Sequence, residues 1–285
     1  MANGRRRTRE PAILNALKAF RDVVKPVLPS SGHKALRSAF YGAVLPVMRG
    51  WASVRERLGA DYSSAPPPAI LAQYNFGSPD AYRRVGGKQA RSVLHGLEEA
   101  GIALPEDPRI LDFGCGAGGA LLAMHERFPE AAVYGCDLKG DVIAWVNKYH
   151  PELAVRITRP APPLPADFTG FDLVYAFSVW THMPAAACQG WLDHLHERLK
   201  PGGAVVITVI SPDSELVRRH GFDPATLPRP VGAAGGCLYD AGKDMSYIDR
   251  QWFEEQPLFR LHYYGEPKEV IQQLVVLTAR GGAKQ

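Results

Sequence analysis

Two patterns along the chain predict an α/β fold with a doubly wound, mostly parallel sheet. From about residue 109 onward, short apolar segments alternate with longer amphipathic ones. Parallel neighbours need a crossover connection, and a helical crossover covers one face of the sheet. Near the end of the chain, two further strand segments lie too close together for a helical crossover, so they should pair antiparallel at a sheet edge.

The predicted elements follow in chain order. A helix is expected over 80–100, because its apolar residues recur at helical spacing and Gly101 follows as a C-terminal cap. The five apolar segments predict parallel strands, and the amphipathic segments between them predict helices. The strands are 109–113, 132–136, 154–158, 172–177 and 204–210, the helices are 119–128, 140–149 and 185–199, and the hairpin strands are 259–264 and 272–278.

The N-terminal region is predicted to be a partly helical appendage over 1–68. Residues 12–58 have mixed helical spacing, and Pro26, Pro29 and Pro46 are expected to divide them into short helices. The stretch 63–68, S-S-A-P-P-P, is predicted to be a linker. The main domain is therefore expected over 69–280.

Composition and charge limit the function classes. The 285 residues are 46% hydrophobic and 22% charged, as in an ordinary soluble globular protein. Residues 1–60 hold 12 Lys and Arg against 3 Asp and Glu, so the net charge of +4 divides into +9 there and −5 elsewhere. The acidic remainder argues against a large RNA or DNA substrate. The sequence carries no signal for an oligomeric state.

The basic arm allows two interpretations. The arginines at positions 5, 6, 7 and 9 are typical of a solubilising tail, and they are also compatible with peripheral contact with an anionic membrane surface. The weakly charged stretch 38–48 is too short to span a bilayer, and charges at Lys18, Arg21, Asp22 and Lys25 interrupt every candidate secretory signal. A cytoplasmic location is therefore expected.

The four cysteines, Cys115, Cys136, Cys188 and Cys237, form no C-x-x-C pair and have no His cluster nearby. The sequence therefore predicts neither a metal site nor a disulfide framework.

A glycine-rich turn follows the first strand, in I-L-D-F-G-C-G-A-G-G over 110–119. Glycines permit positive φ and close approach of a ligand, and a helix N-terminus offers free amide donors. The turn therefore predicts a nucleotide-cofactor loop. Gly114, Gly116 and Gly119 also satisfy the dinucleotide pattern G-x-G-x-x-G, which leaves an NAD(P)-dependent oxidoreductase open.

Two carboxylates flank this loop. Asp112 would face a pyrophosphate unfavourably but suits a ligand with sulfonium and ammonium groups, which favours S-adenosylmethionine. Asp137 closes the second strand, where an acidic side chain accepts hydrogen bonds from ribose hydroxyls of either cofactor class.

From about residue 76 to 280 the chain resembles the class I S-adenosylmethionine-dependent methyltransferases, whose fold is Rossmann-like with a seven-stranded sheet. The resemblance rests on I-L-D-F-G-C-G-A-G, V-Y-G-C-D-L, F-D-L-V-Y-A-F-S-V-W-T-H and L-K-P-G-G-A-V-V-I-T. It implies that the loop surrounds the methionine part, that Asp137 holds the ribose, and that Phe177 and Ser178 lie under the methyl donor. The implied cofactor-binding residues are Asp112, Gly114, Cys115, Gly116, Gly118, Asp137, Leu138, Phe177 and Ser178. One departure is visible, because T-R-P-A-P-P-L over 158–164 lacks the acidic or amide side chain that many members place near the adenine.

The acceptor is predicted to be a small molecule or a glycan-linked group, methylated on oxygen. Such an acceptor loses a proton, and His182 is the candidate general base, although a histidine there also suits a packing role. The stretch 211–257 is expected to cover the acceptor. Its candidate lining residues are Arg218, Arg219, His220, Tyr239, Tyr247 and Trp252. A non-enzymatic cofactor-binding or membrane-associated protein remains a further alternative.

Overall fold

The computed structural model describes residues 30–74, 76–214, 217, 236–240, 245–266 and 272–281. The chain divides into two compact units, Met1–Val54 and Arg55–Gln285. The basic arm, as well as Arg218, Arg219 and His220, lies outside the described residues. Within the described ranges, no helix is both long and apolar enough to cross a membrane.

Two helices come first along the described part of the chain, and each differs from what the sequence predicted. Helix α1, Ser30–Arg57, continues through Pro46, where an interruption was predicted. A proline in a helix interior removes an amide donor at a cost of about 3 kcal/mol, and in this 28-residue helix helical structure continues on both sides of Pro46. Helix α2, Pro68–Gln73, begins at the last residue of the predicted linker, because a proline is favourable in the first turn, where no amide donor is needed.

In the described part of the chain the main sheet has seven strands, namely β1 Arg109–Phe113, β2 Ala132–Asp137, β3 Ala154–Ile157, β4 Phe171–Ala176, β5 Leu199–Val209, β8 Phe259–Gly265 and β9 Gln273–Ala279. Their order across the sheet is β3-β2-β1-β4-β5-β9-β8. Strands β1 to β5 pair parallel, whereas β9 pairs antiparallel with both β5 and β8. The predicted doubly wound sheet with an antiparallel C-terminal hairpin is therefore confirmed.

Helices cover both faces of this sheet, and successive side chains of β1 contribute to different hydrophobic layers. Ile110 belongs to one buried cluster, whereas Leu111 and Phe113 belong to the other. Each fully buried side chain of this kind contributes roughly 1.5–3 kcal/mol. The helices are α3 Pro79–Glu99, α4 Gly119–Arg127, α5 Gly140–Tyr149 and α6 Ala185–Arg198.

Strand β5 is longer than predicted. The sequence P-G-G over 201–203 was expected to stop the preceding helix, with the strand starting at 204, yet the strand begins at Leu199, which pairs with Phe171. The register shifts between Phe171 and Leu173, and Gly202 has a φ of 77°. A bulge with a glycine in the left-handed region accommodates the extra length.

The predicted acceptor-side stretch contains regular structure that the sequence did not reveal. Strands β6, Cys237–Asp240, and β7, Met245–Ile248, form a separate antiparallel hairpin, and helix α7, Arg250–Glu254, follows. Asp249 caps α7 by accepting a hydrogen bond from the Trp252 backbone at 3.0 Å.

Candidate functional site

The glycine-rich turn forms a tight cradle between β1 and α4. Gly114, Gly116 and Gly118 have φ values of 78°, 52° and 75°, a region that favours glycine. A Cβ at Gly114 would lie 2.4 Å from Val179 Cγ2, and one at Gly116 would lie 2.8 Å from Tyr74 Cε1. Larger residues at either position would therefore fill the cradle.

Neighbouring elements fix this loop in place. The backbone N–H groups of Gly114 and Cys115 donate to the Cys136 carbonyl at 2.8 and 2.9 Å. The Tyr82 hydroxyl donates to the Ala117 carbonyl at 2.8 Å. Helix α3 touches the start of α4 backbone to backbone, since a Cβ on Gly86 would lie 2.3 Å from the carbonyl oxygen of Gly119. The cradle is thus built before any ligand arrives.

Asp112 lies beside the loop and is 3% exposed. Its Oδ2 atom has no hydrogen-bond partner among the described residues. Burial raises the pKa of this carboxyl to about 8, the nearby Tyr175 hydroxyl opposes the rise, and the charge of Asp137 adds to it. Because an unpaired buried carboxylate is costly, the position favours a ligand that brings positive charge.

Asp137 ends β2 and faces the same loop. Its Oδ2 accepts a hydrogen bond from the Gly116 backbone at 2.9 Å, and its Oδ1 accepts one from the Lys139 backbone at 2.9 Å. Each carboxylate oxygen keeps a further lone pair, so the side chain can also accept hydrogen bonds from two ribose hydroxyls.

The surface next to Asp137 is apolar. Leu138 is 55% exposed and Ile157 is 58% exposed, an unusual degree for large hydrophobic side chains. Thr158 donates its backbone N–H to the Asp137 carbonyl at 3.0 Å, and its own hydroxyl is buried without a partner in the described part of the chain. Thr158 begins the stretch 158–164, which lacks the acidic or amide side chain that many family members place near the adenine. No sequence motif identified Thr158 as a candidate site residue.

The carboxyl end of β4 contains a strained residue. Ser178 has a φ of 56°, in the left-handed region. Its backbone N–H donates to Thr208 Oγ1 at 2.8 Å, and its hydroxyl donates to Gln272 Oε1 at 3.1 Å. Such a conformation costs about 1–3 kcal/mol in a non-glycine residue and is found preferentially at functional sites. Phe177 precedes it and is half-buried.

His182 is exposed at the end of a short 3-10 turn, Trp180–His182, directly after this strand end. The turn is anchored by Trp180, which is fully buried with its ring 5.7 Å from that of Phe113. On the other side, the Ser246 hydroxyl of β7 donates to the Met183 carbonyl. The imidazole is therefore presented from a fixed backbone.

The structure does not gather all predicted acceptor residues at an open surface. Trp252 is buried in a hydrophobic layer, with its ring 4.8 Å from that of Phe253, and Tyr247 is also buried. Tyr239 is half-buried on the hairpin.

The four cysteine thiols are free and buried, and burial raises the pKa of Cys115 above its ordinary value. The Cys115 thiol is accordingly a poor nucleophile.

The loop fits a nucleoside that carries positive charge. The glycine cradle, the unpartnered Asp112 oxygen and the acceptor atoms of Asp137 lie together at the carboxyl edge of β1 and β2. Open α/β sheets bind ligands at this edge.

A family model described as "Methyltransferase domain" matches residues 84–244, which is more than half of the chain. The chain belongs to this family. The family is that of the class I S-adenosylmethionine-dependent methyltransferases, the family that the sequence motifs resemble. A methyltransferase family favours S-adenosylmethionine over the dinucleotide that the glycine pattern had left open.

Curated relatives of this methyltransferase share part of its length. A trans-aconitate 2-methyltransferase from Methylobacterium nodulans is 28% identical over 162 residues, covering 54% of this chain and 58% of the relative. One from Variovorax paradoxus is 30% identical over 143 residues, covering 50% and 52%. The methyltransferase thus spans somewhat more than half the length of these two relatives.

Two solved structures are among those that match part of this chain. S-adenosylmethionine-bound CalS10, an amino pentose methyltransferase from Micromonospora echinaspora, is 17% identical, covers 68% of this chain and 91% of its own, and has a TM-score of 0.49. PKMT2 from Rickettsia typhi in complex with S-adenosylhomocysteine is 22% identical, covers 43% of this chain and 25% of its own, and has a TM-score of 0.38.

Proposed function

We propose that this methyltransferase methylates an oxygen atom of a small or glycan-linked acceptor at the carboxyl edge of β4 and β5. S-adenosylmethionine supplies a methyl group on a sulfonium that is already activated as a leaving group. The protein has to align the acceptor with that methyl group and exclude water.

The site geometry supports the following proposed cofactor-binding roles. Asp137 accepts hydrogen bonds from the ribose, while Asp112 faces the positively charged methionine part. The remaining proposed contacts come from the loop, the exposed residue after β2 and the end of β4, namely Gly114, Cys115, Gly116, Gly118, Leu138, Phe177 and Ser178.

The observation that carries the acceptor proposal is the position of His182. Val179 packs on Gly114, and the anchored turn that ends at His182 begins with the next residue. An exposed imidazole three residues after Val179, which packs on the cofactor loop, suits a general base. We propose that His182 accepts the proton of an acceptor hydroxyl.

Charge at the same edge bears on the acceptor class. The buried Gln273 side chain accepts from the Ser211 backbone at 2.9 Å and donates to Glu266 at 3.0 Å. Asp213 follows Ser211 and donates its backbone N–H to the Ser211 hydroxyl at 3.3 Å. Because carboxylates repel a polyanion, these residues favour a neutral, hydroxyl-bearing acceptor over a tricarboxylate such as trans-aconitate.

The test is S-adenosylhomocysteine release with a panel of sugars, phenols, other alcohols and carboxylic acids, including trans-aconitate. We expect hydroxyl acceptors to be methylated and His182→Ala to lower kcat about 10²-fold or more, as for loss of a general base. His196→Ala, at the other end of α6, is the matched control. Because a carboxylate acceptor needs no base, methylation of trans-aconitate that is unaffected by His182→Ala would refute the proposal.

A further inference from the structure

The segment just before the family-matched region lies against the cofactor loop. This segment, here called the strap, consists of helix α2, Pro68–Gln73, and Tyr74. Gln73 Nε2 donates to Asp141 Oδ2 of α5 at 2.7 Å, which ties the strap to the first turn of that helix. The family match begins at residue 84, so the strap is no part of the matched motifs.

The Tyr74 ring covers the loop. Its Cε1 would lie only 2.8 Å from a Cβ on Gly116, and Lys139 Nζ is 4.2 Å from its ring centroid. Phe76 stacks at 6.3 Å and in turn contacts Tyr82 edge-on at 5.6 Å. An aromatic chain thus connects the strap to helix α3, whose Tyr82 also hydrogen-bonds the loop.

The Tyr74 hydroxyl is buried and has no hydrogen-bond partner among the described residues. Burial and the neighbouring Asp137 carboxylate raise the pKa of this phenol above its usual value. It therefore stays protonated and can donate a hydrogen bond. The Asp137 carboxylate is close enough for a weak hydrogen-bond interaction with this hydroxyl, yet no contact between the two meets hydrogen-bond geometry. Because buried polar groups are normally paired, we expect a ligand held by Asp137 to supply the acceptor.

We propose that Tyr74 donates a hydrogen bond to a ribose hydroxyl of S-adenosylmethionine next to Asp137, and that its ring closes the cofactor site over Gly116. Tyr74 is then a cofactor-binding residue supplied from outside the glycine loop. This inference depends on the cofactor and not on the acceptor, so it stands or falls separately from the role of His182.

The test is isothermal titration calorimetry with S-adenosylhomocysteine. Tyr74→Phe removes the hydroxyl and keeps the ring, so we expect roughly five- to tenfold weaker binding, the usual effect of one hydrogen bond. Tyr74→Ala also removes the cover and should weaken binding further and speed dissociation. Tyr263→Phe, on edge strand β8 at the opposite end of the sheet from β3, is the control and should bind as the wild type does.

A second ligand locates the contact. 5′-Methylthioadenosine has the ribose and lacks the amino-acid part, so Tyr74→Phe should weaken its binding by the same factor. Gln73→Ala, with Tyr74 intact, should speed dissociation of S-adenosylhomocysteine by loosening the strap.

Three results would overturn the proposal. Unchanged affinity in both Tyr74 variants would remove the contact altogether. Tighter binding by Tyr74→Ala would mean that the ring obstructs the site. A loss seen with S-adenosylhomocysteine but not with 5′-methylthioadenosine would assign the hydroxyl to the amino-acid part. Thermal unfolding of each free variant establishes that it is folded.

Discussion

Replacing Asp112 with asparagine should abolish a proton release that accompanies cofactor binding. In the free protein, burial raises the pKa of Asp112 to about 8. The carboxyl is then about 0.9 protonated at pH 7. A positive charge placed about 4 Å away at an effective dielectric constant near 20 contributes about 4 kcal/mol, enough to lower the pKa by about 3 units. Binding should therefore expel about 0.9 proton at pH 7.

The affinity change follows from the same quantities. Ionising the carboxyl at pH 7 costs about 1.4 kcal/mol, which leaves about 2–3 kcal/mol of net attraction. Asp112→Asn should accordingly weaken S-adenosylhomocysteine binding roughly 30- to 140-fold.

Calorimetric titrations in buffers of different ionisation enthalpy measure this proton release directly. The wild type should release close to one proton at pH 7, about half a proton at pH 8 and still less at higher pH, whereas Asp112→Asn should release almost none. If the two proteins released the same number of protons, the proposed contact between Asp112 and the charged methionine part would be wrong.

Three further predictions concern binding and stability. Asp137→Asn leaves one carbonyl oxygen for two backbone donors and the ribose, so S-adenosylhomocysteine should bind at least about tenfold more weakly by calorimetry; an unchanged Kd would contradict the ribose role. Gly114→Ala would place a Cβ 2.4 Å from Val179 at a residue with a φ of 78°. This substitution should lower the free energy of unfolding in urea by about 1–3 kcal/mol. The control is Gly190→Ala, whose Cβ would have nothing within 4 Å and which should not destabilise the protein. The folded-state pKa of Asp112 exceeds its ordinary value of 3.8, so the protonated form contributes stability that is complete below about pH 4 and is lost as the pH rises towards 8. Asp112→Asn should reduce this pH-dependent fall in the free energy of unfolding in urea. An equal pH dependence in both proteins would refute the raised pKa.

Much of the sheet could be predicted from the sequence because the spacing of apolar residues and the positions of the glycines and prolines indicate the same element boundaries there. Strand β1 and helix α5 have the bounds that their apolar spacing predicted, and Gly101 follows α3 with a φ of 68°. The carboxylates beside the loop were also identified, because charge next to a glycine turn has chemical meaning without knowledge of the fold.

Features that depend on tertiary contacts were not predictable in this way. Strands β6 and β7 are four residues each, too short for a clear alternating pattern. Tyr74 lies far from the glycine loop in sequence, and only folding brings its ring to Gly116. The left-handed conformation of Ser178 is imposed by hydrogen bonds to Thr208 and Gln272, residues that are distant along the chain.

The most direct test of the proposed activity is to follow the methyl group of isotopically labelled S-adenosylmethionine by mass spectrometry with the acceptor panel. We predict that the label appears on an oxygen of a neutral hydroxyl-bearing acceptor with the wild type, and that Asp137→Asn and His182→Ala both reduce its transfer. Label found on nitrogen, or on a carboxylate with full activity in His182→Ala, would contradict the account.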